Sequence, residues 1–162
     1  MSDRVDYILQ QWKTARPELD CRPMGAIGRL NRVSKFMGTK IEECITSFDI
    51  SRLEFDILAT LRRAASPLTP TQLYRDTMLS SGAMSTRLDA LEKRELVIRL
   101  ASKEDRRSCV VELTEKGKRF IDDVIEAHLD NEKCLMEIYT EAEEEQLNTL
   151  LRKWLVHYEQ SL

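Results

Sequence analysis

Between Leu100 and Ser108 the chain carries Lys103, Asp105, Arg106 and Arg107. Lys103 suits a phosphate oxygen, and a guanidinium there suits the narrow minor groove of A·T-rich DNA. Asp105 cannot favour DNA by itself and is expected to pair with an arginine and fix the turn. Taken alone, Asp-Arg-Arg is an ordinary solvated turn, and its weight comes from what precedes it. Ser80, Ser81, Ser85 and Thr86 surround Gly82 and Ala83 at a helix start. Short hydroxyls there reach phosphates or base edges, small residues allow close approach, and the helix N-terminus favours phosphate. Other chemistry is sparse. There is no Gly-rich phosphate loop, no nucleophile elbow and no His-x-x-x-His, so no enzyme is expected.

Cys21, Cys44, Cys109 and Cys134 lie far apart with no Cys-x-x-Cys pair. They read as buried thiols rather than a disulfide framework. A redox role would fall on Cys21, beside Arg22, or on Cys44, which follows two glutamates that oppose a low thiol pKa. His128 and Glu132 stand at i, i+4 with Cys134 near, but the chain has only 2 His. No metal and no cofactor are expected.

The 162 residues are 42% hydrophobic and 33% charged, with 5 Gly and 4 Pro, enough apolar material for one domain's core. No uninterrupted apolar run is long enough to cross a membrane, and the N-terminus lacks a signal-peptide pattern, so a cytoplasmic protein without membrane association is expected. The net charge of −3 is uneven: residues 1–68 carry +2, residues 69–112 carry +1 and residues 113–162 carry −6. A polyanion would meet the middle of the chain and not its acidic end.

These residues need elements to hold them. Val5, Ile8, Leu9 and Trp12 mark a helix over 4–15, stopped at Arg16-Pro17. Met24, Ile27, Leu30, Val33, Met37, Ile41 and Ile45 mark a second from Pro23 to about Ser47. A third, capped by Asp49 or Ser51, buries Leu53, Phe55, Ile57, Leu58 and Leu61 and ends near Pro67. Thr69-Pro70 opens a short helix over 70–76. After a turn at 77–80, Ser80 or Ser81 caps another over 81–94 with Met84, Leu88 and Leu91 inside. Strand-rich runs at 97–100 and 108–113 flank the charged tip as a hairpin. Helices follow from Thr114 to about Tyr139 and over 141–160. The fold class is mostly α with a small β-hairpin wing. A helix–turn–helix followed by a charged hairpin is a winged-helix arrangement, with the second helix suited to a major groove. One domain is expected, with a winged-helix region at 50–113 and a helical dimerisation region made of 1–48 and 114–162.

The run Leu79 to Glu92, then Lys103-Glu104-Asp105-Arg106-Arg107-Ser108, then Val111-Glu112-Leu113-Thr114-Glu115-Lys116-Gly117 resembles the MarR family of dimeric winged-helix transcription regulators. The resemblance covers nearly the whole chain. Glu95 departs from it, since the family commonly has Gly there. A non-Gly residue in a left-handed helix cap costs about 1 kcal/mol. The extra N-terminal helix, Glu54-Phe55-Asp56-Ile57-Leu58 through Arg62-Arg63, and Ser85-Thr86-Arg87-Leu88-Asp89 further resemble the urate-responsive branch of that family. The resemblance implies a ligand site at Trp12, Asp56, Arg63 and Arg87. Urate is a flat monoanion: Arg63 could donate to its anionic edge, Trp12 could stack on it, and Asp56 lies two helical turns before Arg63.

The resemblance also implies a homodimer on a palindromic duplex, released by urate or a related small anion and acting as a repressor. Val5, Ile8, Leu147, Leu150, Leu151, Trp154 and Leu155 are the expected interface residues. The alternatives are a cysteine-based redox regulator of the same fold and a non-enzymatic protein-interaction module.

Overall fold

Most helix starts among the described residues are set by side chains that satisfy the first unpaired N–H groups. The computed structural model describes residues 2–64, 66–77, 81–101 and 109–160, without the side chains of 76 and 81–83. The elements are α1 (Arg4–Ala15), α2 (Arg22–Thr46), α3 (Arg52–Ala64), α4 (Pro70–Thr77), α5 (Ser81–Lys93), β1 (Val97–Ala101), β2 (Cys109–Leu113), α6 (Glu115–Met136) and α7 (Glu141–Glu159). Asp3 and Asp6 form a reciprocal capping box on α1, and Thr140 and Glu143 form one on α7. Ser51 and Glu54 do the same for α3, and Thr69 and Gln72 for α4. Between the two expected caps of α3 the structure therefore chooses Ser51. Asp49 instead takes a left-handed backbone, φ 57°.

The chain divides into two compact units, Met1–Glu43 and Cys44–Leu162. The expected dimerisation region, 1–48 with 114–162, therefore draws on both units. The physical reason lies in α6, whose Ile121 and Val124 are fully buried and whose Asp122 is hydrogen-bonded by Arg62 of α3 at 2.7 Å. The helices after the hairpin thus stay with the winged helix.

In the first unit, α1 lies against the start of α2. Gly28 of α2 sits against the methyls of Val5, and Arg29 hydrogen-bonds Asp3 at 2.7 Å and also pairs with Asp6. Val5 is consequently 4% exposed. This corrects its expected place at a dimer interface, because it has almost no surface left to offer. Ile8 is half-buried.

The core of the second unit is built from Ile57, Leu58 and Leu61 of α3, Leu73 of α4 and Met84, Leu88 and Leu91 of α5. The hairpin adds Val97 and Val111, and α6 adds Ile121 and Val124. The expected stripe of α5 is thus its buried face. β1 and β2 pair antiparallel from Val97↔Leu113 to Ala101↔Cys109. Leu68 also pairs with Val111 on the other side of β2, with mutual N–H···O distances of 3.0 and 2.8 Å. A single bridging residue carries no periodicity, so sequence reading sees only the end of a helix there. The helix after the hairpin stops at Met136, three residues before the expected end.

Two junctions place the wing. Glu95 has φ 60°, so the left-handed cap expected from its position is real. Its carbonyl accepts from Thr114 Oγ1 at 2.7 Å, and its carboxylate meets Lys116 Nζ at 3.1 Å. Thr114 also caps α6 by accepting from the Gly117 N–H at 2.9 Å. At Gly117 the backbone of α6 presses on β1's approach: an added Cβ would lie 1.9 Å from the Leu96 carbonyl oxygen. The Leu-Thr-x-x-Gly motif is therefore a cap followed by a close crossing.

Candidate functional site

α4 and α5 form the helix pair, and the hairpin follows α5 directly. Apolar residues seat α5 on one side, and charge holds it on the other. Arg99 of β1 reaches back to Glu92 at 2.8 Å and to Asp89 at 2.6 Å. A guanidinium shared by two carboxylates ties the wing's first strand to the helix before it. Ser85 and Thr86 are exposed in the first half of α5, where a polyanion could approach. The side chains of Ser81, Gly82 and Ala83 lie outside the described residues, as do Ser80 and the wing residues Lys103, Asp105, Arg106 and Arg107.

The four residues expected at a ligand site are not equivalent. Trp12 lies on α1 in the first unit and is 40% exposed. Asp56, Arg63 and Arg87 belong to the second unit. Asp56 and Arg63 both stand on α3. Among the described residues, no cation stands within 4.0 Å of Asp56. Arg63 Nη2 instead donates to Thr60 Oγ1 at 2.9 Å, which leaves the rest of its donor fork unused by that bond. Burial raises the Asp56 carboxyl above its ordinary value, against the opposing pull of Arg52, Arg63 and His128. The face of α3 around Asp56 therefore combines a half-buried acid with three potentially cationic groups.

That shift has a sign. A carboxyl whose folded pKa is raised adds stability below its unfolded pKa, and the contribution is lost as pH rises through the folded pKa. Asp56→Asn removes this loss. Its melting temperature should gain on the wild type as pH climbs through the carboxylate range, and the gap should close toward pH ~3. Parallel melting curves at all pH values would show that burial does not govern Asp56.

Arg87 on α5 faces Glu54, not Asp56, with Nη1 and Oε1 3.8 Å apart. Glu54 is 7% exposed. Residue-type reasoning passed it over, because a glutamate on an amphipathic helix reads as solvent-facing. The Ser51-x-x-Glu54 spacing of a capping box was the available signal. From sequence, His128 stands out only as a possible metal ligand. Its ring lies edge-on to Phe55, with centroids 5.2 Å apart, and its Nε2 is 3.3 Å from Glu132. Among the described residues no group of three His, Cys, Asp or Glu could hold a metal ion.

The thiols correct an expectation. None is fully buried: Cys21, Cys44 and Cys109 are half-buried and Cys134 is exposed, all as free thiols. Each sits at an element's edge or face, outside the packed interior. Cys44 Sγ donates to the Ala127 carbonyl at 3.6 Å. Among the described residues, no helix is long and apolar enough to cross a membrane.

α7 holds the remaining expected residues. None of its residues is buried. Leu150, Trp154 and Leu155 are exposed, and Leu147 and Leu151 are half-buried.

The sequence pattern that defines the MarR family matches residues 48–108, the stretch from the end of α2 to the start of β2. The chain is 38% identical over 149 residues to the HTH-type transcriptional regulator PecS of Dickeya dadantii, covering 91% of this chain and 90% of that protein. It is 28% identical over 125 residues to the regulator MhqR of Bacillus subtilis, covering 76% and 85%. A solved structure of a mutant MarR from E. coli complexed with operator DNA superposes with a TM-score of 0.68 at 26% identity, covering 95% of this chain and 99% of that one.

Proposed function

Because this chain belongs to the MarR family of non-enzymatic transcriptional regulators, we propose that it binds a palindromic operator as a homodimer, represses transcription, and is released by urate or a related small anion. Binding to operator DNA is the coarse part of this reading. It is supported by the helix pair α4–α5 with its hairpin and by the relative seen with operator DNA.

The observation that carries the effector reading is the surroundings of Asp56. Arg52, Arg63 and His128 act on one half-buried carboxyl, and a planar anion there would gain donors from Arg63. Trp12 enters through the resemblance to the urate-responsive branch, as the ring partner. Arg87 links the reading to DNA, because it stands on α5. An anion that prefers a conformation with α5 displaced would lower operator affinity by its differential affinity for the two states. The exposed apolar stripe of α7 supports the homodimer, since Leu150, Trp154 and Leu155 need a partner surface. A two-fold dimer would match a palindrome.

The deciding experiment is a gel shift on the duplex upstream of the protein's own gene, titrated with urate. Release by urate supports the reading. A shift that only an oxidant releases moves the sensor to a cysteine. No shift on this duplex, nor on any duplex selected from a random pool, overturns DNA binding.

The wing supplies a separate test. Arg106→Ala and Arg107→Ala should each weaken binding about tenfold and reduce the salt dependence by about one phosphate contact, with unchanged melting temperature. Unaltered affinity for both at several salt concentrations would remove the wing from the interface.

A further inference from the structure

Arg87 of α5 and Arg94, the residue that directly follows that helix, stand seven positions apart, about two helical turns. Both reach the corner between α2 and α3. Arg94 Nη1 donates to the Asp49 carbonyl at 2.6 Å. Arg87 Nη1 lies 3.8 Å from Glu54 Oε1. The first is a short hydrogen bond to a charged donor. The second is an attraction without a hydrogen bond, since 3.8 Å exceeds bonding distance.

The corner itself is held. Glu54 Oε2 accepts from Ser51 N and Ser51 Oγ, both at 2.7 Å, so the carboxylate stays in place whatever Arg87 does. Asp49 has φ 57°, a left-handed conformation that Asp tolerates better than most residues. Arg94 is fixed from a second side, with its guanidinium carbon 5.5 Å from the centre of the Phe120 ring on α6.

We propose that Glu54 and Arg94 are positioning residues for DNA binding. They tie α5 to the α2–α3 corner at two points: a firm pivot at Arg94 and a releasable tie between Arg87 and Glu54. The burial of Glu54 gives the releasable tie its strength, because a desolvated carboxylate gains more from a nearby cation than an exposed one does. Its distance makes it breakable, because no hydrogen bond has to be lost. A rearrangement that opens the Arg87 tie leaves α5 hinged near its C-terminal end and swings its N-terminal half, where the exposed Ser85 lies. This inference rests on the DNA-binding reading and is independent of which effector acts.

The test uses the full-length chain and a duplex that the wild type selects from a random pool. Glu54→Gln keeps the capping box, since Gln serves at that position, and removes only the charge. Glu54→Gln and Arg87→Met should each weaken binding about tenfold, and the double variant should bind no worse than the weaker single one. Neither should change the salt dependence. Arg94→Met should also weaken binding, and Arg94→Lys should restore most of it, because an ammonium can still donate to the Asp49 carbonyl.

Additive losses in the double variant would overturn the proposal. So would a salt dependence that falls by about one contact in Arg87→Met, the mark of a direct phosphate contact. If Glu54→Gln fails to fold, Arg87→Met measured at several salt concentrations decides alone, since the Arg87 side chain is 40% exposed. A wild type that selects no duplex overturns the DNA-binding reading itself, a result distinct from either.

Discussion

Gly117→Ala is expected to lower the melting temperature by about 10 °C and to take DNA binding with it. The added methyl would stand 1.9 Å from the Leu96 carbonyl oxygen and 2.8 Å from its carbon. That obstacle is backbone, with no side-chain rotation to relieve it. The same oxygen accepts from the Thr114 N–H at 3.1 Å, so moving it breaks the bond that closes the base of the hairpin. A forced shift of this kind costs on the order of 4 kcal/mol, and a chain of this length loses about 2–4 °C for each. The wing starts one residue later, at Val97, so its seat against α5 is disturbed together with stability. Thermal unfolding and a gel shift on the same sample check this. Lys118→Ala is the control, because among the described residues that exposed side chain pairs only with Glu115 a turn away, worth a few tenths of a kcal/mol. A Gly117→Ala melting temperature within 2 °C of the wild type would mean that the crossing is looser than described.

The second large effect concerns the effector. Arg63→Ala should raise the urate concentration that releases DNA at least tenfold and leave DNA affinity without urate nearly unchanged. Hydrogen bonds to a charged group contribute about 1.5–3 kcal/mol each, or roughly ten- to a hundredfold. Thr60 Oγ1 orients the Arg63 guanidinium with one bond, and no carboxylate occupies it among the described residues. Arg63→Lys should fall between, since it keeps the charge but loses the planar fork. Trp12→Phe should blunt the response more mildly. Full urate response in both Arg63→Ala and Trp12→Phe would dismiss the site.

The fold was legible where periodicity and caps act locally. Met84, Leu88 and Leu91 announce the inner face of α5 by spacing alone, and Thr69-Pro70 announces the start of α4. Glu95 announces its own strain, because a cap that prefers Gly carries Glu instead. What sequence reading missed depends on tertiary placement. Leu68 bonds to Val111, a pairing between residues far apart in the chain. Glu54 looks solvent-facing and is buried. Arg94 spends its charge on a main-chain carbonyl, and no residue-type pattern encodes a carbonyl's direction. At the candidate site the residue types were readable. The partner of Arg87 was not, because two acids two residues apart on α3 compete for it, and only geometry chooses Glu54 over Asp56.

The anchoring of α5 limits how an engineer could rewrite what it reads. Met84, Leu88 and Leu91 are committed to the interior, Arg87 and Arg94 to the α2–α3 corner, and Asp89 and Glu92 to Arg99. A helix transplanted from another regulator, together with the residue that follows it, would need all seven positions to match before its bases of choice mattered. Retargeting by library selection should therefore draw its winners from the opening turn of α5 and Ser85, and variants altered farther along should be lost to poor seating before specificity is ever sampled.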